Sequence, residues 1–323
     1  MRLTIIGCGL IGAKRAAAAA GREIVAVCDP DIARLERLAR ETSARPIADW
    51  REAIAVDADA VVIATPHDRL AQIALAAVEA GRHVLVEKPA GRRPDEVAPI
   101  VAAARRHGRI VKVGFNHRFH PAIAKAKSLV DEGQIGPLLF VRGRYGHGGR
   151  IGYEKEWRFQ PEISGGGELI DQGSHLIDLS RWFLGELTLA YAAVPTYFWQ
   201  APVEDNCFLA LTGVEKRMAW LHASWTEWKN LFVFEIMGRD GKLTVEGLGG
   251  SYGVERLTLH RMLPRMGPPE TMSWEFPFPD RSFTDEFENF VAAVEGRAEP
   301  IGDIADAHAN LAIIQAVYDR APS

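Results

Sequence analysis

Leu3-Thr4-Ile5-Ile6-Gly7-Cys8-Gly9-Leu10-Ile11-Gly12 sets a short apolar run against three glycines, and an alanine-rich stretch, Ala16 to Ala20, follows close behind. The run reads as a buried strand over residues 3–6 and the alanine-rich part as a helix over 11–20, with side chains small enough to pack closely on a sheet. Glycines at this spacing permit a tight turn, close approach of backbone to a pyrophosphate, and close packing of helix on strand. The helix start would then offer free N–H groups and a partial positive charge to phosphates. Glycine spacing alone would also serve strand–helix packing. Here, however, a second strand over 24–28 follows and ends at Asp29, where an acidic residue would meet the ribose hydroxyls of an adenosine. Gly7, Gly9, Leu10, Ile11, Gly12 and Asp29 are therefore expected to hold a dinucleotide. A carboxylate at Asp29 would repel a 2′-phosphate, so NAD is expected in preference to NADP. The alternative is that Asp29 serves only as a turn or helix N-cap residue. Arg34, close by, is expected on the solvent face of its helix.

The same alternation continues outward. Strands are expected over 60–63, 83–86 and 110–113, and helices over 32–41, 70–80 and 95–107, with Gly21, Gly81 and Gly108 following three of the helices. The strands are continuous apolar runs, as in a parallel sheet covered on both faces. After Phe119 the texture changes. One helix is expected over 122–132, ending at Gly133, and strand-like segments run from Leu138 to about Phe278, interrupted by one helix over 168–184. The best of them cover 207–211, 217–225, 231–237, 242–245 and 256–260, with turns such as Arg239-Asp240-Gly241, which predicts an antiparallel sheet. Two helices close the chain, over 283–295 and 304–318. The fold class is α/β: a parallel-sheet domain over 1–119 and an α+β domain over 120–323, with the last helices free to pack back on the first. The segment 142–152, rich in Arg and Gly and containing His147, reads as a surface loop or as a lid that contacts anions.

The 323 residues suit two domains, and 47% hydrophobic with 25% charged residues is ordinary globular composition. A net charge of −4 gives no reason to expect nucleic acid. No apolar run is long enough for a bilayer, and the first residues lack the pattern of a signal peptide, so no membrane partner and a cytoplasmic location are expected. Cys8, Cys28 and Cys207 are odd in number and unpaired in spacing, which fits reduced thiols.

Three further patterns carry chemistry. Ligands of open α/β sheets lie beyond the carboxyl ends of the strands. That places Glu87-Lys88-Pro89, at the end of the strand over 83–86, and Thr65, Pro66 and His67, after the strand over 60–63, in the expected cofactor set. Pro89 restricts Lys88 to extended backbone and allows a cis bond between them. Lys88 either hydrogen-bonds a reacting hydroxyl or is a surface lysine paired with Glu87. Asp171, His175 and Asp178 recur at i, i+4 and i+7 on a largely apolar helix, which puts them on one face. Gly165-Gly166-Gly167 precedes that helix and allows close backbone approach. Histidine titrates near neutral pH, so His175 is the natural general base, with Asp171 orienting it or binding a substrate hydroxyl, and Asp178 anchoring the helix. A purely structural Asp–His pair is the alternative. His117 and His120 have a spacing known from metal sites, but Pro121 and the lack of a third ligand argue against one, and no metal is expected.

Taken in order, these motifs resemble the Gfo/Idh/MocA family of sugar and polyol dehydrogenases. The resemblance rests on Gly7 to Gly12, on Glu87-Lys88-Pro89, on Gly114-Phe115-Asn116-His117-Arg118-Phe119, on Gly165 to Gly167 leading to Asp171, His175 and Asp178, and on Val203-Glu204-Asp205-Asn206. It implies a Rossmann domain, then an α/β domain with a large open antiparallel sheet often used to form a homodimer or homotetramer. It implies a catalytic set of Lys88, Asp171 and His175. It also makes Asn116, Arg118 and Arg158 candidates for contacting a sugar or polyol, although Asn116 and Arg118 could equally brace the junction between domains. Trp157 either packs on a sugar face or belongs to the core. The implied reaction is reversible oxidation of a secondary alcohol by hydride transfer. Two rivals remain: a redox-neutral, NAD-dependent glycosidase or epimerase-type enzyme, and a non-catalytic dinucleotide sensor. The intact Lys88, Asp171 and His175 set weighs against the sensor.

Overall fold

The strand–helix alternation in the first third of the chain builds a six-stranded parallel sheet. In the computed structural model, which describes residues 1–277 and 279–320, its elements are β1 (Arg2–Ile6), α1 (Leu10–Ala18), β2 (Glu23–Cys28), α2 (Ile32–Thr42), β3 (Arg45–Ile47), α3 (Trp50–Ala55), β4 (Ala60–Ile63), α4 (His67–Glu79), β5 (His83–Val86), α5 (Pro94–His107) and β6 (Val111–Val113). The strand order is β3-β2-β1-β4-β5-β6 and every pairing is parallel. That is the doubly wound order, and it reverses between β1 and β4, so the turn after β1 lies at the switch point where such sheets bind ligands. The sequence reading did not include β3 and α3. β3 is a three-residue edge strand interrupted by Pro46, which only an edge tolerates, and α3 is a short helix capped by the Asp49 carboxylate on the Arg51 amide.

The second sheet has eight strands. Its unit contains α6 (Pro121–Asp131), β7 (Leu138–Gly146), the one-turn helix α7 (Pro161–Ser164), a π-helical turn (Leu169–Gly173), α8 (Ser174–Leu184), β8 (Leu187–Ala193), β9 (Asn206–Gly213), β10 (Met218–Ser224), β11 (Leu231–Gly238), β12 (Gly241–Glu246), β13 (Glu255–Arg261) and β14 (Glu270–Phe276). The order is β14-β13-β12-β11-β7-β10-β9-β8. β7 and β10 pair in parallel, and the remaining neighbours are antiparallel.

Two expectations need correction. The helix expected over 168–184 is not a single α-helix, because residues Leu169–Gly173 form a wider turn with i→i+5 hydrogen bonds before α8 begins. The segment expected to loop from residue 142 is strand as far as Gly146. There Val141, Gly143 and Tyr145 are buried and Arg142 and Arg144 exposed, a period of two that glycine and arginine disguise as turn composition. Gly143 is small because a Cβ there would press against Leu176 and Phe234 at 3.0 and 3.1 Å. Phe278, where the strand-like stretch was expected to end, and residues 321–323 lie outside the described residues.

The closing helices are α9 (Ser282–Val294) and α10 (Ile304–Tyr318). The chain divides into one unit of Met1–Asn116 with Phe283–Leu311 and another of His117–Ser282 with the residues from Ala312 onward. Within the first, Phe287, Phe290 and Val291 share a core with Leu3, Ile5, Val27 and Leu35. No helix among the described residues is long and apolar enough to cross a membrane.

Candidate active site

In the first unit the glycine turn is shaped by contact on two sides and left open on the third. Gly7 has φ +100°, and a Cβ there would overlap the Ala64 carbonyl. A Cβ on Gly12 would overlap the Gly7 carbonyl, which is what brings α1 close against β1. Gly9 differs: nothing stands nearer to its Cβ position than Arg34 Nη1 at 4.0 Å. Gly9 is also the N-cap of α1, no side chain caps that turn, and Leu10 beside it is 74% exposed. An open face lined by uncapped helix N–H groups fits a pyrophosphate.

Asp29 is buried at the end of β2. Its carboxylate accepts the Cys8 amide at 2.7 Å and the Asp31 amide at 2.8 Å, so it ties the glycine turn to the start of α2. The N-cap of α2 is Asp31, which accepts the Arg34 amide. The exposed Arg34 side chain pairs with Asp31 at 3.1 Å, and Arg37 Nη2 donates to the Cys8 carbonyl at 3.1 Å. Thr65 and Pro66 lie between β4 and α4, Pro66 as the exposed N-cap of α4, and His67 is buried at the first position of that helix.

At the end of β5, Lys88 is half-buried and joined to Pro89 by a cis bond. Glu87 accepts from Arg15 Nε at 2.6 Å, and Arg15 Nη1 donates to Glu286 Oε2 at 2.5 Å. Arg15 is fully buried. Burial works against its charge, but the carboxylates of Glu286 and Glu87 outweigh that and hold the guanidinium protonated. Gly114 leaves the room, since a Cβ there would meet Arg15 Nη2 at 2.7 Å and Glu87 Oε2 at 2.9 Å. The dinucleotide helix, the Lys88 strand end and the β6 end are thus joined by one buried ion cluster, which the sequence reading missed because its members lie far apart in the chain. Asn116, buried, opens a 3₁₀ turn over Asn116–Phe119.

In the second unit the three residues of the acidic–histidine stripe meet three different partners. His175 is buried and stacks on His117, with ring centroids 3.7 Å apart and planes 18° apart. Tyr145 stands edge-on to His175 at 6.3 Å and tilted against His117 at 5.2 Å, and burial pushes its phenol well above the usual range, so it stays protonated. Asp178 takes a two-pronged pair from Arg118, Nη2 to Oδ1 at 2.6 Å and Nε to Oδ2 at 2.9 Å, with both residues buried. Asp171 accepts from Arg158 Nε at 3.1 Å. Burial lowers the Arg158 guanidinium, but Asp171, Tyr153 and Glu156 outweigh it and hold it above its ordinary value. Trp157 is half-buried, and the Arg158 guanidinium lies 4.8 Å from its ring centroid. His147 sits beside Tyr153, and burial lowers its pKa.

Sequence reading placed His117 in the Gly114–Phe119 motif and noted its spacing from His120, but gave it no role of its own. Those two rings meet edge to face at 5.5 Å, while His120 Nδ1 lies 3.1 Å from the buried Glu255 carboxylate. Among the described residues no three His, Cys, Asp or Glu side chains gather as metal ligands would.

Comparison with known proteins agrees with this architecture. Residues 1–115 match the model of the oxidoreductase family with an NAD-binding Rossmann fold, and residues 123–244 match the GFO/IDH/MocA C-terminal domain. Levoglucosan dehydrogenase of Pseudarthrobacter phenanthrenivorans is 35% identical over 188 residues, 57% of this chain and 48% of the relative. Inositol 2-dehydrogenase 2 of Saccharopolyspora erythraea is 33% identical over 221 residues, 65% of this chain and 62% of the relative. The matches thus span about half to three-fifths of these relatives' own lengths. A solved levoglucosan dehydrogenase in complex with NADH and levoglucosan superposes with a TM-score of 0.87 at 24% identity, covering 99% of this chain and 97% of that one, a likeness of fold. With both domain models matched in the expected order, the chain belongs to the Gfo/Idh/MocA oxidoreductase family.

Proposed function

We propose that the protein is an NAD-dependent dehydrogenase that oxidises, or in reverse forms, a secondary alcohol of a sugar, polyol or sugar derivative. The observation that carries this reading is His175, a buried imidazole held flat by His117, one turn on from the Asp171–Arg158 pair. His175 takes the hydroxyl proton, Asp171 orients the substrate, and Lys88 steadies the alkoxide as it develops. A nicotinamide bound in the first unit would supply the acceptor for the carbinol hydride. Gly7, Gly9, Leu10, Ile11 and Gly12 hold the pyrophosphate, and Thr65, Pro66, His67 and Glu87 line the cofactor. Asn116, Arg118, Trp157 and Arg158 shape the substrate end. The names of the relatives that act on levoglucosan and inositol support the substrate class.

NAD is preferred over NADP because the Asp29 carboxylate stands at the glycine turn, where a 2′-phosphate would be repelled. The three cysteines are buried and unpaired, which supports a reducing cytoplasmic compartment. The protein assembles as a homodimer or homotetramer through its eight-stranded sheet, on which exposed Phe140 lies beside exposed Met218 while Tyr191 and Trp220 both flank Ala210.

The test is to follow nicotinamide absorbance with NAD or NADP and a panel of sugars, inositols and sugar acids. Reduction with one substrate class, lost in His175→Ala, supports the reading. Turnover unchanged in that variant would remove His175 from the mechanism, and a preference for NADP would remove the role of Asp29.

A further inference from the structure

The turn that carries Asp171 begins against a single residue from elsewhere in the chain. The Glu204 carbonyl accepts the Glu168 amide at 3.0 Å, and its Oε1 accepts the amides of Gly167 at 3.0 Å and Leu169 at 3.1 Å. Three consecutive N–H groups at the start of the π turn are thus met by the main chain and side chain of one glutamate. Tyr318, on the last turn of α10, donates its hydroxyl to the same Oε1 at 2.8 Å. Two glycines of the Gly165–Gly167 run are accounted for by this approach: a Cβ on Gly167 would overlap the Glu204 carbonyl, and one on Gly166 would overlap the Tyr318 hydroxyl, while Gly165 caps α7 at a φ of +83°. Glu204 is held in turn by its neighbour, because the Asp205 carboxylate accepts the amides of Tyr197, Phe198 and Trp199, and its carbonyl accepts that of Trp225.

We propose that Glu204, locked by Tyr318, is a positioning residue that sets where the π turn starts and so fixes the register of Asp171 and His175. A π turn has one more residue per hydrogen-bonded step than an α-helix, and it can relax to α geometry by slipping one position. Such a slip would rotate Asp171 about the helix axis and carry its carboxylate away from Arg158. Anchoring three amides to a rigid bracket prevents the slip. This inference rests on the proposed dehydrogenase reading for its effect on turnover, but the clamp itself can be measured without substrate.

The experiment compares Glu204→Ala, Glu204→Gln and Tyr318→Phe with the wild-type protein. Gln keeps an acceptor at Oε1, so it should restore what Ala removes. For Glu204→Ala we expect kcat to fall on the order of 100-fold, with NADH affinity, read by fluorescence, held within about twofold; Glu204→Gln should stay within about threefold of wild type and Tyr318→Phe should fall between. Amide hydrogen exchange should quicken over residues 167–175 in Glu204→Ala and return to the wild-type rate in Glu204→Gln. An alanine variant that loses melting temperature but keeps kcat would overturn the proposal, because a purely structural cap behaves that way. Wild-type exchange over residues 167–175 in that variant would overturn it as well. The dehydrogenase reading fails separately, if His175→Ala turns over as wild type does, and in that case exchange alone decides the clamp.

Discussion

The imidazole of His117 lies flat against that of His175, 3.7 Å between centroids, and both rings are buried. The contact orients the candidate base through a residue that carries no proton in the proposed reaction. His117→Ala removes the plane against which His175 rests, and His117→Phe keeps one. We expect the alanine variant to lose kcat by about tenfold or more while the phenylalanine variant retains most of it, since a small misplacement of a catalytic group is costly. Steady-state kinetics of both variants, with melting temperature as the control for folding, checks this. Wild-type kcat in the alanine variant would show that the stack plays no part in placing the base.

Gly9 and Gly12 have the same side chain for different reasons. At Gly12 a Cβ would overlap the Gly7 carbonyl, whereas at Gly9 it would enter open space at a φ of −71° that alanine adopts freely. Gly9→Ala should therefore fold and melt as wild type does, yet lose NADH affinity by about tenfold or more, some 1.4 kcal/mol, because the methyl occupies the face a pyrophosphate would approach. Gly12→Ala should lose stability as well. Fluorescence titration with NADH against thermal melting separates the two. Undiminished affinity in Gly9→Ala would mean that the dinucleotide does not approach this face.

Most of the parallel sheet was legible because each strand is an apolar run bounded by a glycine or a helix start, as at Leu3–Ile6 and Gly7. β3 was not, since Pro46 within three residues looks like a break until the strand is seen at an edge. The chemical groups on single elements could also be read: Lys88 after its strand, and Asp171, His175 and Asp178 along one segment. Their partners could not, because Arg118, Arg158, His117 and Glu204 come from other elements and no local period relates them. The π turn was hidden for a related reason. The amides of Gly167, Glu168 and Leu169, where the turn begins, are met by Glu204, which is distant in sequence and which no local period marks.

The Arg118–Asp178 pair yields a prediction about stability. Both side chains are almost wholly shielded from water, and two hydrogen bonds join them. Replacing Arg118 by Met leaves a carboxylate facing a guanidinium that is gone, at a cost of about 3–5 kcal/mol. Replacing both, as in Arg118→Met with Asp178→Leu, should recover much of the loss, because the desolvation of two charges disappears with them. Denaturant unfolding of the single and double variants measures this directly. A single variant that unfolds like wild type but has a raised KM would instead make Arg118 a substrate contact first.

His83 gives the fold a measurable dependence on pH. Its Nδ1 accepts the Ile110 amide at 3.1 Å, and Nε2 stands 3.3 Å from Arg109 Nη1. Burial lowers its pKa from the ordinary 6.5, and the Arg109 charge lowers it further. The unfolded chain therefore takes up the proton at a higher pH than the folded one does, so stability is lost as pH falls from about 6.5 through the folded value. Burial lowers His147 and His222 as well, and they add to the same trend. We expect the melting temperature to drop between pH 7.5 and 5.5, and His83→Gln, which cannot titrate and can still accept the Ile110 amide, to drop less. Melting curves of both proteins at the two pH values decide it. If the two drops are equal, His83 takes up its proton in the folded state as readily as in the unfolded chain, and the two contacts do not keep it neutral.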